Sequence, residues 1–163
     1  MDGPQGPPGP EGPRGPTGSN GTTGQDIVEV YGTATLTVTD AMTSHTLIPG
    51  LETTVTVPPD ALVRVDTNGG LQCTGIGTSF SAVNVAIRID GRVTSAQRHV
   101  IVANTQGVTR MSGHWSFGRT FSLPPGAHSF QVVVADDGGS ADANVSAANP
   151  PMQGVLTVMV LKR

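Results

Sequence analysis

A glycine stands at every third position at the start of the chain, eight in register without a miss: Gly3, Gly6, Gly9, Gly12, Gly15, Gly18, Gly21 and Gly24. No other feature restricts the fold so severely. A lone polyproline-II strand has no internal hydrogen bonds and gains nothing from such a period. Three strands wound together do gain, because every third residue of each must cross a crowded axis that admits only hydrogen as a side chain. Proline follows glycine in the first five triplets, Gly3-Pro4-Gln5 to Gly15-Pro16-Thr17, which presets φ and lowers the entropy lost on ordering. A disordered Gly/Pro linker has no reason to keep a period. Residues 1–26 therefore read as a triple helix, and the chain as one strand of a parallel homotrimer. At about 3 Å per residue the rod would be on the order of 70 Å long. Its last three triplets lack proline, so this end leans on the segment beyond Asp26 for its order.

The rest of the chain is different in kind. Beyond Asp26 the prolines thin out, the glycines lose their period and every aromatic residue of the chain appears. Residues 27–163 are long enough for a single domain with its own core. Only 13% of the chain is charged, the net charge is −3 and no Lys/Arg run exists, so nucleic acid and anionic membrane are not the expected partners. No apolar run approaches the roughly 20 residues of a membrane span. Met1 leads directly into Asp2 and the first triplet, without a signal-peptide pattern. The expectation is export by another route, an upstream part to the protein, or assembly of a virion in the cytoplasm. Cys73 is the only cysteine; it reads as a small buried apolar group, with an interchain bridge as the alternative.

The head reads as short strands throughout. Thr33–Thr39 alternates strictly, as does Thr53–Val57 before Pro58-Pro59. Ala61–Asp66 comes next and runs to a turn signal at Asn68-Gly69-Gly70. Val83, Val85, Ile87 and Ile89 share a face before Asp90-Gly91, the strongest short hairpin signal in the chain. Trp115, Phe117, Phe121 and Leu123 oppose Ser116, Gly118, Thr120 and Ser122. Pro124-Pro125-Gly126 turns the chain into His128–Ala135, Asp136-Asp137-Gly138-Gly139 turns it again, and Ala141–Ala147 reads as a weaker strand. Eight to ten antiparallel strands without a helical period make a sandwich or jelly roll.

The search for chemistry finds little. Four histidines and many serines exist, yet no Gly-x-Ser-x-Gly elbow or His-x-x-x-His spacing is present. No catalytic residue and no cofactor is expected. Asp136, Asp137 and Asp142 could offer oxygen ligands to calcium, or Asp-Asp-Gly-Gly could simply be a tight turn. Arg119 falls on the apolar parity of its strand. It reads either as half of an interchain ion pair or as a stem lying on the core with its guanidinium in water.

The terminal segment is apolar at both parities: Val155, Met159 and Leu161 on one side, Leu156, Val158 and Val160 on the other. A strand with one solvated face would alternate with polar residues, so the second face needs cover. Because the rod delivers three chains together at Asp26, Ile27 should start near the threefold axis. Ile27, Val155, Leu156, Val158, Val160 and Arg119 are the resulting candidates for the trimer interface. Val155–Leu161 should pair antiparallel with the region Ile27–Val38.

A Gly-X-Y rod running straight into a small all-β head resembles the bacterial and phage collagen-like proteins. It is also similar in layout to the complement-type heads of the tumour-necrosis-factor-like superfamily. The residues that carry the second likeness are Val85-Ala86-Ile87-Arg88-Ile89-Asp90-Gly91, Leu123-Pro124-Pro125-Gly126-Ala127-His128 and Gly154-Val155-Leu156-Thr157-Val158-Met159-Val160. The resemblance implies a collagen triple helix joined to a ten-stranded jelly roll, trimeric about the rod axis, that nucleates and caps the helix. Such proteins sit on spores, cell surfaces or virions. The expected role is structural, in a surface appendage, exosporium or phage fibre. The alternative is an adhesin whose apical loops bind a surface glycan or protein.

Overall fold

The protein is described by a computed structural model over Gln25–Lys162. The triplets Gly3–Gly24, and with them the expected triple helix, lie outside the described residues. The described residues form ten β-strands and no helix: β1 (Asp26–Tyr31), β2 (Leu36–Val38), β3 (Thr46–Val57), β4 (Leu62–Cys73), β5 (Ser79–Ile89), β6 (Arg92–Asn104), β7 (Ser112–Phe121), β8 (Gly126–Gly139), β9 (Ala143–Val145) and β10 (Val155–Leu161).

The pairing is nested. β5 pairs β6, β4 pairs β7, β3 pairs β8, β2 pairs β9 and β1 pairs β10, all antiparallel. The chain is thus one long hairpin that starts at the β5–β6 turn, and the ribbon is then wrapped into two layers by the pairs β4–β10, β4–β9 and β5–β8. The first sheet holds β1, β10, β4, β9 and β2, with β7 on the other edge of β4; the second runs β3-β8-β5-β6. This is a β-sandwich of jelly-roll-like connectivity. The hairpin at its origin has Asp90 and Gly91 both at positive φ, 48° and 78°, which matches the right-handed twist of the flanking strands.

Period-two burial fills the space between the layers. Val63, Val65 and Leu71 of β4 and Leu156, Val158 and Val160 of β10 meet Val83, Val85 and Ile87 of β5 and Phe130, Val132 and Val134 of β8, all at 0% exposure. Trp115 closes the core, its indole N–H donating to Thr67 Oγ1 at 3.1 Å.

Two sequence expectations change. Asn68-Gly69-Gly70 is not a turn but the middle of β4. A Cβ at Gly69 would overlap the Trp115 ring and approach Gly154 Cα at 2.9 Å, and one at Gly70 would lie 2.9 Å from Met152 Cα. Glycine here makes room for neighbours and needs no unusual φ. Thr33–Thr39 is strand only over Leu36–Val38. Beyond Val155 the terminal strand offers no backbone opposite residues 33–35, and β2 pairs β9 instead.

Candidate functional site

Gln25 marks the point where the described head meets the glycine triplets, and the chain's other end is tied to it. The Lys162 amide donates to Gln25 Oε1 at 2.7 Å, and Lys162 Nζ lies 2.8 Å from Asp26 Oδ2. From there β1 pairs β10 in register from Asp26↔Val160 to Tyr31↔Val155. The expected pairing of the first and last strands is present, though it spans only β1.

The burial of β10 separates its two apolar parities. Leu156, Val158 and Val160 are fully enclosed in the sandwich of their own chain. The candidate interface loses these three residues, because a side chain with no exposed surface has none to offer a neighbour. Val155, Met159 and Leu161 point outward and are half-buried. The strand registers place them in rows across the outer face of the first sheet: Ile27–Met159–Arg64–Thr120, Glu29–Thr157–Asp66–Gly118, and Tyr31–Val155–Asn68–Ser116. Ile27 is 61% and Tyr31 49% exposed.

A polar band crosses this apolar face. Glu29 accepts hydrogen bonds from the Tyr31 hydroxyl and from Thr157 Oγ1, the latter at 3.0 Å. These bonds, Tyr31's first, hold the Glu29 carboxyl below its usual range and raise the Tyr31 phenol. Two strands along, Arg64 Nε donates to both Asp66 oxygens at 3.0 and 2.9 Å. Asp66 lies across Gly118 of β7, where any Cβ would overlap its carboxylate. The charges of this face therefore pair within one chain, beside the apolar Ile27, Met159, Leu161 and Val155.

Arg119 sits elsewhere. It is exposed, and its Nη1 donates to Ser95 Oγ on β6, bridging the edges of the two sheets. Arg98 of β6 stacks 5.6 Å from the Phe117 centroid at the same edge. Of the two readings of Arg119, the structure shows an exposed guanidinium anchored by one bond within the chain.

The aspartate trio also divides. β8 continues through Gly139, so neighbouring residues point to opposite faces. Asp137 pairs with His99 Nε2 at 3.0 Å, while Asp136 and Asp142 line an open depression of about 200 Å³ with Asp40 and Ser140. No group of three acidic, histidine or cysteine side chains spaced to hold a metal exists among the described residues. Cys73 is buried, its Sγ 3.8 Å from Ser79 Oγ.

One charged site went unforeseen. His128 is 8% exposed, with Nδ1 2.7 Å from Asp90 Oδ2 and Nε2 2.8 Å from the Pro124 carbonyl. Both partners are acceptors, an arrangement that favours the protonated ring. The Asp90 contact, then the Pro124 carbonyl, raise its pKa, and His128 lowers that of Asp90. This clamp joins the β5–β6 and β7–β8 turns at the end of the sandwich nearest Asp26. Its sequence signal was the recurrence of Asp90-Gly91 and Pro124-Pro125-Gly126-Ala127-His128 as turn motifs.

No family model matches the chain, and no curated protein matches it. Among solved structures it is similar to that of infectious bursal disease virus, Gx strain, at 10% identity and a TM-score of 0.43 over 86% of this chain. The Gt strain of the same virus gives 12% and 0.38 over 85%, and a mutant VP2 protein from its T=1 particles 13% and 0.36 over 84%. The chain spans 38% of the length of the first two and 36% of the third.

Proposed function

We propose that the protein is a structural homotrimer, a collagen-like rod carried by a trimerising β-sandwich head, in a surface appendage, exosporium or phage fibre. The observation that carries the reading is the unbroken glycine period, which ends at Gly24 beside the first residue of β1. Three chains arriving together need a surface on which three heads can meet. The outer face of the first sheet supports this, with Ile27, Met159 and Leu161 apolar beside Asp26, Val155 farther along the same face, and its charges paired internally. A rod of this length is marginal alone, so the head nucleates and caps it. Circular dichroism tests the rod directly. The full chain should show the polyproline-type maximum with a cooperative melt, and Gly12→Ala should lower that melt because only glycine fits the axis. A full chain without the maximum would remove the rod from the reading.

A second reading, a receptor-binding head, draws support from the opposite end. There the β2–β3, β4–β5, β6–β7 and β8–β9 connections leave two polar depressions rather than a featureless surface. Three heads on one rod would present three copies of whatever these depressions bind.

A further inference from the structure

At the end of the sandwich far from Asp26, an open depression of about 220 Å³ is lined by Gln72 of β4, Thr74 of the β4–β5 loop, Arg110 of the β6–β7 loop and Asn144 of β9. Bonds already made fix what each side chain still offers. Gln72 donates Nε2 to the Arg110 carbonyl at 3.1 Å, which leaves Oε1 as an acceptor. Asn144 accepts on Oδ1 from Thr37 Oγ1 at 2.9 Å, which leaves its NH2 group as a donor. Thr74 Oγ1 donates to the Asp142 carbonyl at 2.9 Å and keeps its lone pairs.

Arg110 is the unusual member. Its φ is 59°, a left-handed conformation that residues with a Cβ seldom adopt. The backbone is held there from both sides. Gln72 binds the Arg110 carbonyl, and the Met111 amide donates to Asn104 Oδ1 at 2.9 Å. Asn104 is itself 1% exposed and anchored to the Gly75 carbonyl at 2.7 Å. The guanidinium, by contrast, makes no hydrogen bond or ion pair among the described residues. No acidic side chain lines this depression; Asp142 lines the neighbouring one. A fixed backbone thus carries an unspent cation into a concavity of oriented amides and a hydroxyl.

We infer that this depression binds a sugar carboxylate. The planar fork of Arg110 matches a carboxylate with two parallel hydrogen bonds. The hydroxyls beside that carboxylate need both donors and acceptors, which Asn144 Nδ2, Gln72 Oε1 and Thr74 Oγ1 provide. No aromatic ring lines the depression to stack a neutral sugar, so the charge is the recognition element. Its volume is below the roughly 300–1,000 Å³ of drug-sized sites, which suits one ring. Single-site affinity should be about millimolar, and three heads on one rod would raise it by avidity. The inference rests on the receptor-binding reading and deepens it.

The test uses the full chain on an array of sialylated glycans, uronate-containing polysaccharides and the carboxyl-reduced form of each. The first two arms separate the two sources of the same chemistry. Retention on one acidic arm and loss on its reduced form is the expected result. Arg110→Gln should then weaken binding by about tenfold or more without moving the melting temperature, and Asn144→Ala should weaken it less. Binding that survives Arg110→Gln would overturn this site while leaving the receptor-binding reading standing. Failure of every arm to bind would overturn the sugar-carboxylate site and leave the receptor-binding reading only with a protein or a neutral glycan as its ligand.

Discussion

The two faces of β10 are almost equally apolar in sequence and opposite in circumstance. Leu156, Val158 and Val160 are enclosed between the sheets, while Val155, Met159 and Leu161 lie half-covered on the outside beside an exposed Ile27. Inside, the neighbours are other aliphatic side chains. Outside they are a guanidinium, two carboxylates and a phenol that satisfy one another within the chain. The inner face is what one chain needs in order to fold. The outer face is apolar beyond that need, and it lies where the glycine triplets end.

If that division is right, substitutions on the two faces should fail differently. The largest effect belongs to Val158→Asp. An unpaired carboxylate at a site with no exposed surface should cost about 4 kcal/mol or more, against a total stability of about 5–15 kcal/mol for an ordinary domain. Loss of the cooperative melt in near-ultraviolet circular dichroism is the expected readout. A folded Val158→Asp head would mean that β10 is turned over.

Gly69→Ala should come next. The added methyl meets the Trp115 ring inside the sandwich and Gly154 behind it, and overpacking of this kind costs about 1–3 kcal/mol. Denaturant titration with Trp115 fluorescence as the probe measures it. A neutral result would show that Trp115 has freedom to move.

The His128 clamp should add a pH dependence to the interior. Its folded pKa is raised above the unfolded value by Asp90 and the Pro124 carbonyl. Its contribution is therefore complete below an unfolded pKa of about 6.5 and is lost as pH rises through the higher folded value. The lowered Asp90 acts in the opposite direction, losing its share as pH falls through its folded value. His128→Gln should cost about 1.5–3 kcal/mol near neutrality and flatten the alkaline limb of the melting profile. An unchanged limb would mean that the ring is neutral. Smallest of all should be Met159→Asp on the outer face, where losing a half-buried side chain and placing Asp in a strand should cost an isolated head about 1 kcal/mol.

Much of the sandwich was legible in the sequence because period-two burial is a local signal. Val83 to Ile89, Trp115 to Phe121 and the Asp90-Gly91 hairpin all lie where alternation and turn chemistry put them. Three things escaped for reasons outside any local window. Gly69 and Gly70 carry the signature of a turn, but what requires glycine there is the approach of Trp115 and Met152 from distant segments. In β10 Thr157 alone marks the outward parity, since every other residue of both parities is apolar and the packing of β3 and β8 across the core decides. Gln72, Arg110 and Asn144 converge only after the nested hairpin is wrapped, so no spacing in the chain announces the depression they line. The Asp136–Asp137 pair was misleading in the other direction. Adjacent in sequence, the two point apart once β8 runs on through Gly139.

In the proposed trimer the outer face of the first sheet meets two more copies of itself. Light scattering on the full chain and on Met159→Asp, at micromolar concentration and with circular dichroism recorded on the same samples, separates a head that trimerises through this face from one that does not. The parent should show a mass three times that of one chain, and Met159→Asp a smaller mass with its β-sheet signal intact. A parent that is monomeric or dimeric, or a Met159→Asp variant that remains a stable trimer, would contradict it.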